Sequence, residues 1–267
     1  MLTFTTPTAL PIEAATTMGV SVKDSESSIG KFGTGLKYAI AGILRLGGEI
    51  TVWVDGERYD FDAHDAIIRG RRFRIVHCNG TPCGFTTDLG KHWEPWQIFR
   101  ELASNALDEG GSWSHEAPLP DEARTIITVA CRQVEEADRE ERVFLSRDRQ
   151  PLLRSSNGAT IYAGASPHYY FRGIRAGSFP EVAPVTVNVD QGTLSEDRLL
   201  DLSTVQFEMA WAFRSATEWD EGLMLSVLAQ DDPRDFWVRN IPGHCLHGAS
   251  LPEPMMQFML ARPKWVK

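Results

Sequence analysis

Two stretches of the chain combine residue types that can do chemistry at spacings that let them act together. In Ile29-Gly30-Lys31-Phe32-Gly33-Thr34-Gly35-Leu36-Lys37, three glycines lead into an apolar run. Glycine lets a backbone approach an anion closely, and a helix start offers free N–H groups with a partial positive charge. Lys31 and Lys37 can add countercharge. In the segment from Phe99 to Glu109, residues Glu101, Asn105 and Asp108 stand at i, i+4 and i+7, one stripe of a helix. Phe99, Leu102, Ala103, Ala106 and Leu107 take the opposite side, which would face a sheet. Asn105 can offer its carboxamide oxygen to a hard cation such as Mg2+. Glu101, one turn earlier, can orient or deprotonate a water. Taken singly, each stretch also fits a plainer reading: a glycine-led buried helix, and an amphipathic helix with a solvated polar side.

The glycine stretch fails two better-known patterns. A P-loop needs Lys and then Ser or Thr directly after its last glycine, but Leu36, Lys37 and Tyr38 follow Gly35. A dinucleotide fingerprint through Gly33 and Gly35 needs glycine where Tyr38 stands.

The elements that would position these residues can be read from periodicity. A buried helix is expected over Leu36–Leu46, closed by Gly47 and Gly48. Strands are expected at Glu49–Val54, Arg58–Phe61 and Arg72–Val76, the first two joined by a turn at Asp55-Gly56. Trp93–Asp108 reads as a helix with Pro95 in its first turn. Strands follow at Thr125–Arg132 and Arg142–Leu145, with a charged connection at Glu135–Glu141. The residues before Ser28 read as loop-rich. Further on, Ala159–Ala163, Tyr169–Ile174 and Val185–Val189 read as strands and Leu194–Arg214 as a long helix. The change of texture places a boundary near residue 165, giving regions 1–165 and 166–267. The order of elements predicts an α+β sandwich, helices on one face of a mixed, mostly antiparallel sheet.

Composition narrows the classes. The 267 residues are 42% hydrophobic and 24% charged, with eight Trp and thirteen Phe, enough apolar material for one large core or two smaller ones. No apolar run approaches the roughly 18–20 residues that span a bilayer. MLTFTTPTAL lacks a basic segment followed by an apolar one, so a cytoplasmic protein without a membrane partner is expected. A formal charge of −9 speaks against a nucleic-acid partner, and Arg69, Arg71, Arg72 and Arg74 read as an arginine-decorated strand. The four cysteines, Cys78, Cys83, Cys131 and Cys245, read as small hydrophobes; a zinc site from Cys78 and Cys83 with His244, Cys245 and His247 is the weaker reading.

The combination of motifs is more specific than either alone. Glu101-Leu102-x-x-Asn105-x-x-Asp108 resembles the N box of the GHKL superfamily, which includes gyrase-type topoisomerases, sensor histidine kinases and mismatch-repair ATPases. Gly30-x-Phe32-Gly33-x-Gly35-Leu36-Lys37 resembles that superfamily's second glycine box, and Gly19-x-Ser21-x-Lys23 is similar to the stretch that leads into it through the ATP lid. The resemblance implies a Bergerat-type fold, ATP and Mg2+ as cofactors, and slow ATP hydrolysis with nucleotide-coupled conformational change. It implies Glu101 as the base, Asn105 on Mg2+ and Asp108 in support, with Lys23, Gly30, Lys31, Gly33, Thr34, Gly35, Leu36 and Lys37 around the phosphates. The glycine box here precedes the N box, the order of a circularly permuted fold; compact permuted chains of this kind are similar to proteins encoded by bacteriophages. The family's Asp-x-Gly-x-Gly box, which reads adenine, is not found; Asp148 stands near its expected place without the glycines. The region after residue 165 is similar to a transducer domain, in which Arg198 would reach the γ-phosphate. The plainer reading of Arg198 is a helix start capped by Ser195. An alternative function on the same scaffold is a non-hydrolysing protein that acts by docking on a protein partner or on itself, with Trp211, Trp219, Trp237 and Trp265 as anchors.

Overall fold

A computed structural model of the protein describes residues 1–20, 34–116, 124–139, 143–146, 148–156, 159–214 and 216–219. Lys23, Gly30, Lys31, Gly33, Trp237, His244, Cys245, His247 and Trp265 lie outside the described residues. The chain divides into two compact units, Met1–Val143 and Phe144–Lys267. A boundary at residue 165 would cut a continuous strand, Thr160–Phe171, so the texture change lies inside the second unit.

The first unit carries strands β1 (Leu2–Thr6), β2 (Glu49–Val54), β3 (Glu57–Ile68), β4 (Arg71–Cys78), β5 (Thr81–Thr86), β6 (Ser112–Ser114) and β7 (Thr125–Ala130). They form one sheet in the order β5-β4-β3-β2-β7-β1-β6, with every neighbouring pair antiparallel. Helices α1 (Glu13–Thr16), α2 (Gly35–Arg45), α3 (Pro95–Asp108) and α4 (Arg132–Arg139) complete it. Register explains the layering. Leu2, Val129 and Ile50 lie in one cross-strand row and Phe4, Ile127 and Val52 in another, all buried and on one side of the pleat. Phe4 meets Phe99 of α3 at 6.2 Å between ring centroids, so this is the helix-covered side. The alternate row, Thr3, Thr128, Thr51 and Asp60, carries the polar side. Asp55-Gly56 and Asn79-Gly80 make two-residue hairpin turns in which both residues have positive φ, the conformation that Asx-Gly pairs favour.

Four local readings are corrected. The opening residues contain β1, whose Leu2 and Phe4 alternate with threonines too briefly to stand out. β5 was not anticipated, since Pro82 and Gly84 interrupt its pattern. The charged connection after β7 is helical as α4, with Val134 and Ala137 at i and i+3 turned inward. Among residues 143–146 a strand is absent: Phe144 makes one bridge to Ile174, and the Leu145 N–H donates to the Gly173 carbonyl at 2.8 Å.

The second unit holds β8 (Pro151–Ser155), β9 (Thr160–Phe171), β10 (Ile174–Val189), α5 (Leu202–Arg214) and β11 (Ala216–Trp219), with sheet order β10-β9-β8-β11. β9 and β10 pair in two senses. Phe171 opposite Ile174 and Tyr170 opposite Arg175 run antiparallel, whereas Val187, Asn188 and Val189 run parallel to Tyr169, Tyr170 and Phe171. Ile161, Tyr169, Val185 and Val187 pack with Val205, Met209 and Ala212 of α5. The protein is thus a mixed α+β chain with mostly antiparallel sheets. Among the described residues no helix is long and apolar enough to cross a membrane.

Candidate functional site

α2 begins at Gly35 after Thr34 at the N-cap, and buries Leu36, Ala39, Ile40, Ala41, Ile43 and Leu44. It stops where Gly47 takes a positive φ and the Gly48 N–H returns to the Ile43 carbonyl at 2.9 Å. α3 is started by a capping box: the Glu94 N–H donates to Gln97 Oε1 at 2.9 Å, and Pro95 fills the first turn, where no N–H is missed.

The two helices meet on glycines. Gly35 and Gly42 are two turns apart on α2, and each is in tight contact with α3. A Cβ on Gly42 would stand 2.6 Å from Ile98 Cδ1, and one on Gly35 would stand 1.8 Å from Glu101 Oε1. The Glu101 carboxylate therefore lies directly against the first residue of α2. Glu101 is 1% exposed. Its Oε1 accepts a hydrogen bond from Asn105 Nδ2 at 3.2 Å, the i+4 geometry expected of the stripe. Asp108, half-buried, ends α3 on that stripe. Two residues beyond Gly35, Lys37 is buried; its Nζ donates to the Val20 carbonyl at 3.4 Å, and desolvation lowers the ammonium's pKa. The structure thus sets Gly35 of α2 against Glu101 of α3 with Asn105 bonded to that carboxylate, while Leu36 and Lys37 are buried in the turn of α2 that follows, Thr34 is half-buried at the N-cap and Asp108 lies at the far end of α3. A carboxylate at the first turn of a helix sits where free N–H groups and the helix dipole favour negative charge.

Sequence reasoning passed over two polar residues of α3 that are also inside. Arg100 is 1% exposed with its guanidinium 5.0 Å above the Trp96 ring, and Ser104 is fully buried. The signal was available: Arg100 follows Trp96 by four positions, the spacing that stacks side chains on one helix face.

Asp148 and Arg198 are residues of the second unit. Asp148 is exposed, its N–H donating to Ser146 Oγ at 3.4 Å. Arg198 is buried at a φ of 54° in a turn, its N–H donating to the Ser195 carbonyl at 2.9 Å. Ser195 caps no helix. α5 starts at Leu202, and Asp201 holds its entry by accepting from the Ser203 hydroxyl and, at 2.9 Å, from the Ser203 N–H; these bonds, the hydroxyl's first, lower the Asp201 pKa.

Elsewhere in the first unit a cavity of about 680 Å³ is lined by Ile12, Thr16, Met18, Tyr59, Cys78 and Cys83. Both cysteines are free, buried thiols; burial pushes the Cys78 pKa up and that of Cys83 to about 11. Cys131 is likewise buried and free. On β4, Arg72 pairs with Asp65 at 2.6 Å and Arg74 donates to the Leu44 carbonyl at 3.4 Å. Compared with protein families, curated proteins and solved structures, the chain finds no match.

Proposed function

We propose that the protein binds ATP with Mg2+ at the α2–α3 junction and hydrolyses it slowly, as a GHKL-type ATPase of the Bergerat fold with permuted motif order. One observation carries the reading. The glycine-led helix start and the Glu-x-x-x-Asn stripe lie some seventy positions apart, yet Glu101 touches Gly35. A Mg2+-phosphate group fits the donors on one point: Asn105 gives its nitrogen to Glu101, so its harder atom, the carboxamide oxygen, is the one with which it can meet Mg2+. Bound there, the ion would neutralise phosphate charge. The chain's own residues would do the rest: Glu101 orients and deprotonates a water, Asp108 supports it, and Lys37 adds positive charge close to the start of α2. Lys23, Gly30, Lys31 and Gly33, which lie outside the described residues, join the proposed phosphate cradle on the strength of the sequence motif alone.

A second reading has its own support. Glu101 already sets an anion of the chain at the α2 start, so the junction is complete as a packing device. On that reading the scaffold acts by contact with a protein partner or a second copy.

Thermal shift separates the two. A ligand at about 100 times its dissociation constant stabilises a fold by roughly 2.7 kcal/mol. The ATPase reading expects a Mg2+-dependent shift with ATP that Asn105→Ala abolishes, and phosphate release that Glu101→Gln abolishes while the shift remains. A melt unmoved by ATP, ADP and Mg2+ overturns it in favour of the contact reading.

A further inference from the structure

We propose that Asp62, His64 and His77 form a binding site for a zinc-class divalent transition metal, on the sheet surface away from the helices. The site follows from hairpin register. The two-residue connection Arg69-Gly70 between β3 and β4 sets Asp62 opposite His77 and His64 opposite Ile75. Asp62 and His64, two apart on one strand, point to the same side of the pleat. That side is shared with Asp60, which belongs to the polar row of Thr51 and Thr128.

The result is one carboxylate and two imidazoles whose ligating atoms all lie within 4.8 Å of one another. His64 Nε2 is 3.1 Å from Asp62 Oδ2, and the two imidazole centroids are 4.4 Å apart. His77 Nδ1 is 3.0 Å from the Ile75 carbonyl, an acceptor only, so Nδ1 donates and Nε2 carries the lone pair. Tying one imidazole nitrogen to a backbone carbonyl is how metal-bound histidines are commonly oriented. A surface ion pair accounts for Asp62 and His64. It leaves out the second imidazole, whose approach to 4.4 Å between ring centroids brings a third ligating atom to the same point. Two imidazoles and one carboxylate suit Zn2+, Co2+ or Cu2+; they do not suit Mg2+, which prefers oxygen ligands throughout. Zn–N and Zn–O bonds of about 2.0–2.2 Å draw tetrahedral ligand atoms to about 3.3–3.5 Å apart, so modest rotation of these exposed side chains closes the site. Three protein ligands leave a fourth position for water or a donor from another molecule.

The test titrates the full chain, stripped with chelator and free of nucleotide, with Zn2+ by calorimetry and Co2+ by visible absorption. One equivalent should bind, the Co2+ complex should show tetrahedral d–d bands, and Zn2+ should raise Tm. His77→Ala and His64→Ala should each weaken binding at least tenfold, while His115→Ala, just past the end of β6, should leave it unchanged. Metal-free melts of the variants should match the parent; if an alanine variant fails to fold, Asp62→Asn, which keeps the side chain's shape, decides the same question by losing the Tm response to Zn2+. No saturable uptake of Zn2+, or uptake undiminished in the His64→Ala, His77→Ala double variant, overturns the proposal.

Discussion

Glu101 and Asp62 are both carboxylates with a nitrogen partner on the same element, yet the fold treats them in opposite ways. Glu101 is enclosed between two helices, 1% exposed, with Asn105 one turn on and a glycine against its oxygens. Asp62 stands on a strand with most of its side chain in solvent, beside an imidazole in the same condition. The contrast separates two ways of presenting an acid. An enclosed carboxylate depends on every neighbour that shapes its space, and removing a partner leaves a desolvation cost behind. An exposed one is inexpensive to change and gains importance only from what its neighbours jointly bind.

The contrast can be broken most forcefully at the helix contact. Ile98→Ala removes a fully buried side chain from the Gly42 seam and should cost about 4 kcal/mol in urea unfolding; a cost near zero would mean that this seam does not hold Glu101 enclosed. Gly35→Ala should cost about 3 kcal/mol, because the new methyl meets the Glu101 carboxylate. In a Glu101→Ala background the same change should cost less than about 1 kcal/mol, a coupling that a double-mutant cycle reads directly. An intermediate case is Cys83, enclosed but uncharged at neutral pH. Its folded pKa, raised by burial from the ordinary 9.0 to about 11, makes its contribution fully present below pH 9 and lost as pH rises through 11. The fall in Tm between pH 9 and 11 should therefore be shallower in Cys83→Ala. Smallest of all, Ile67→Ala, at a side chain 79% exposed on the β3–β4 hairpin, should shift stability by no more than about 0.5 kcal/mol.

The legibility of the chain follows the same division. α2, β2, α3 and β7 were readable because one side of each is buried continuously, which prints a 3.6- or 2-residue period into the sequence. β3 was read only to Phe61; beyond it Asp62, His64 and Asp65 are exposed, and a strand without a buried side leaves no alternation to detect. The Glu101–Asn105 stripe was visible as a spacing, and the motif pair led to both stretches being set around one group of phosphates; the direct contact of Glu101 with Gly35 was not readable, since no local pattern encodes a contact across so many residues. Arg100 was passed over as an interior residue because composition places arginine outside, although its spacing of four from Trp96 was on view. The Asp62, His64 and His77 group needed the Arg69-Gly70 turn to be recognised first, since only that register brings His77 across to Asp62.

The outermost strands of the seven-stranded sheet have a consequence for the chain's behaviour at high concentration. β6 is three residues long, and β5 carries Pro82, with an irregular register against β4 between Ile75 and His77. A short strand and a proline-bearing, bulged one are poor templates for a foreign strand, so both rims of the sheet resist edge-to-edge polymerisation.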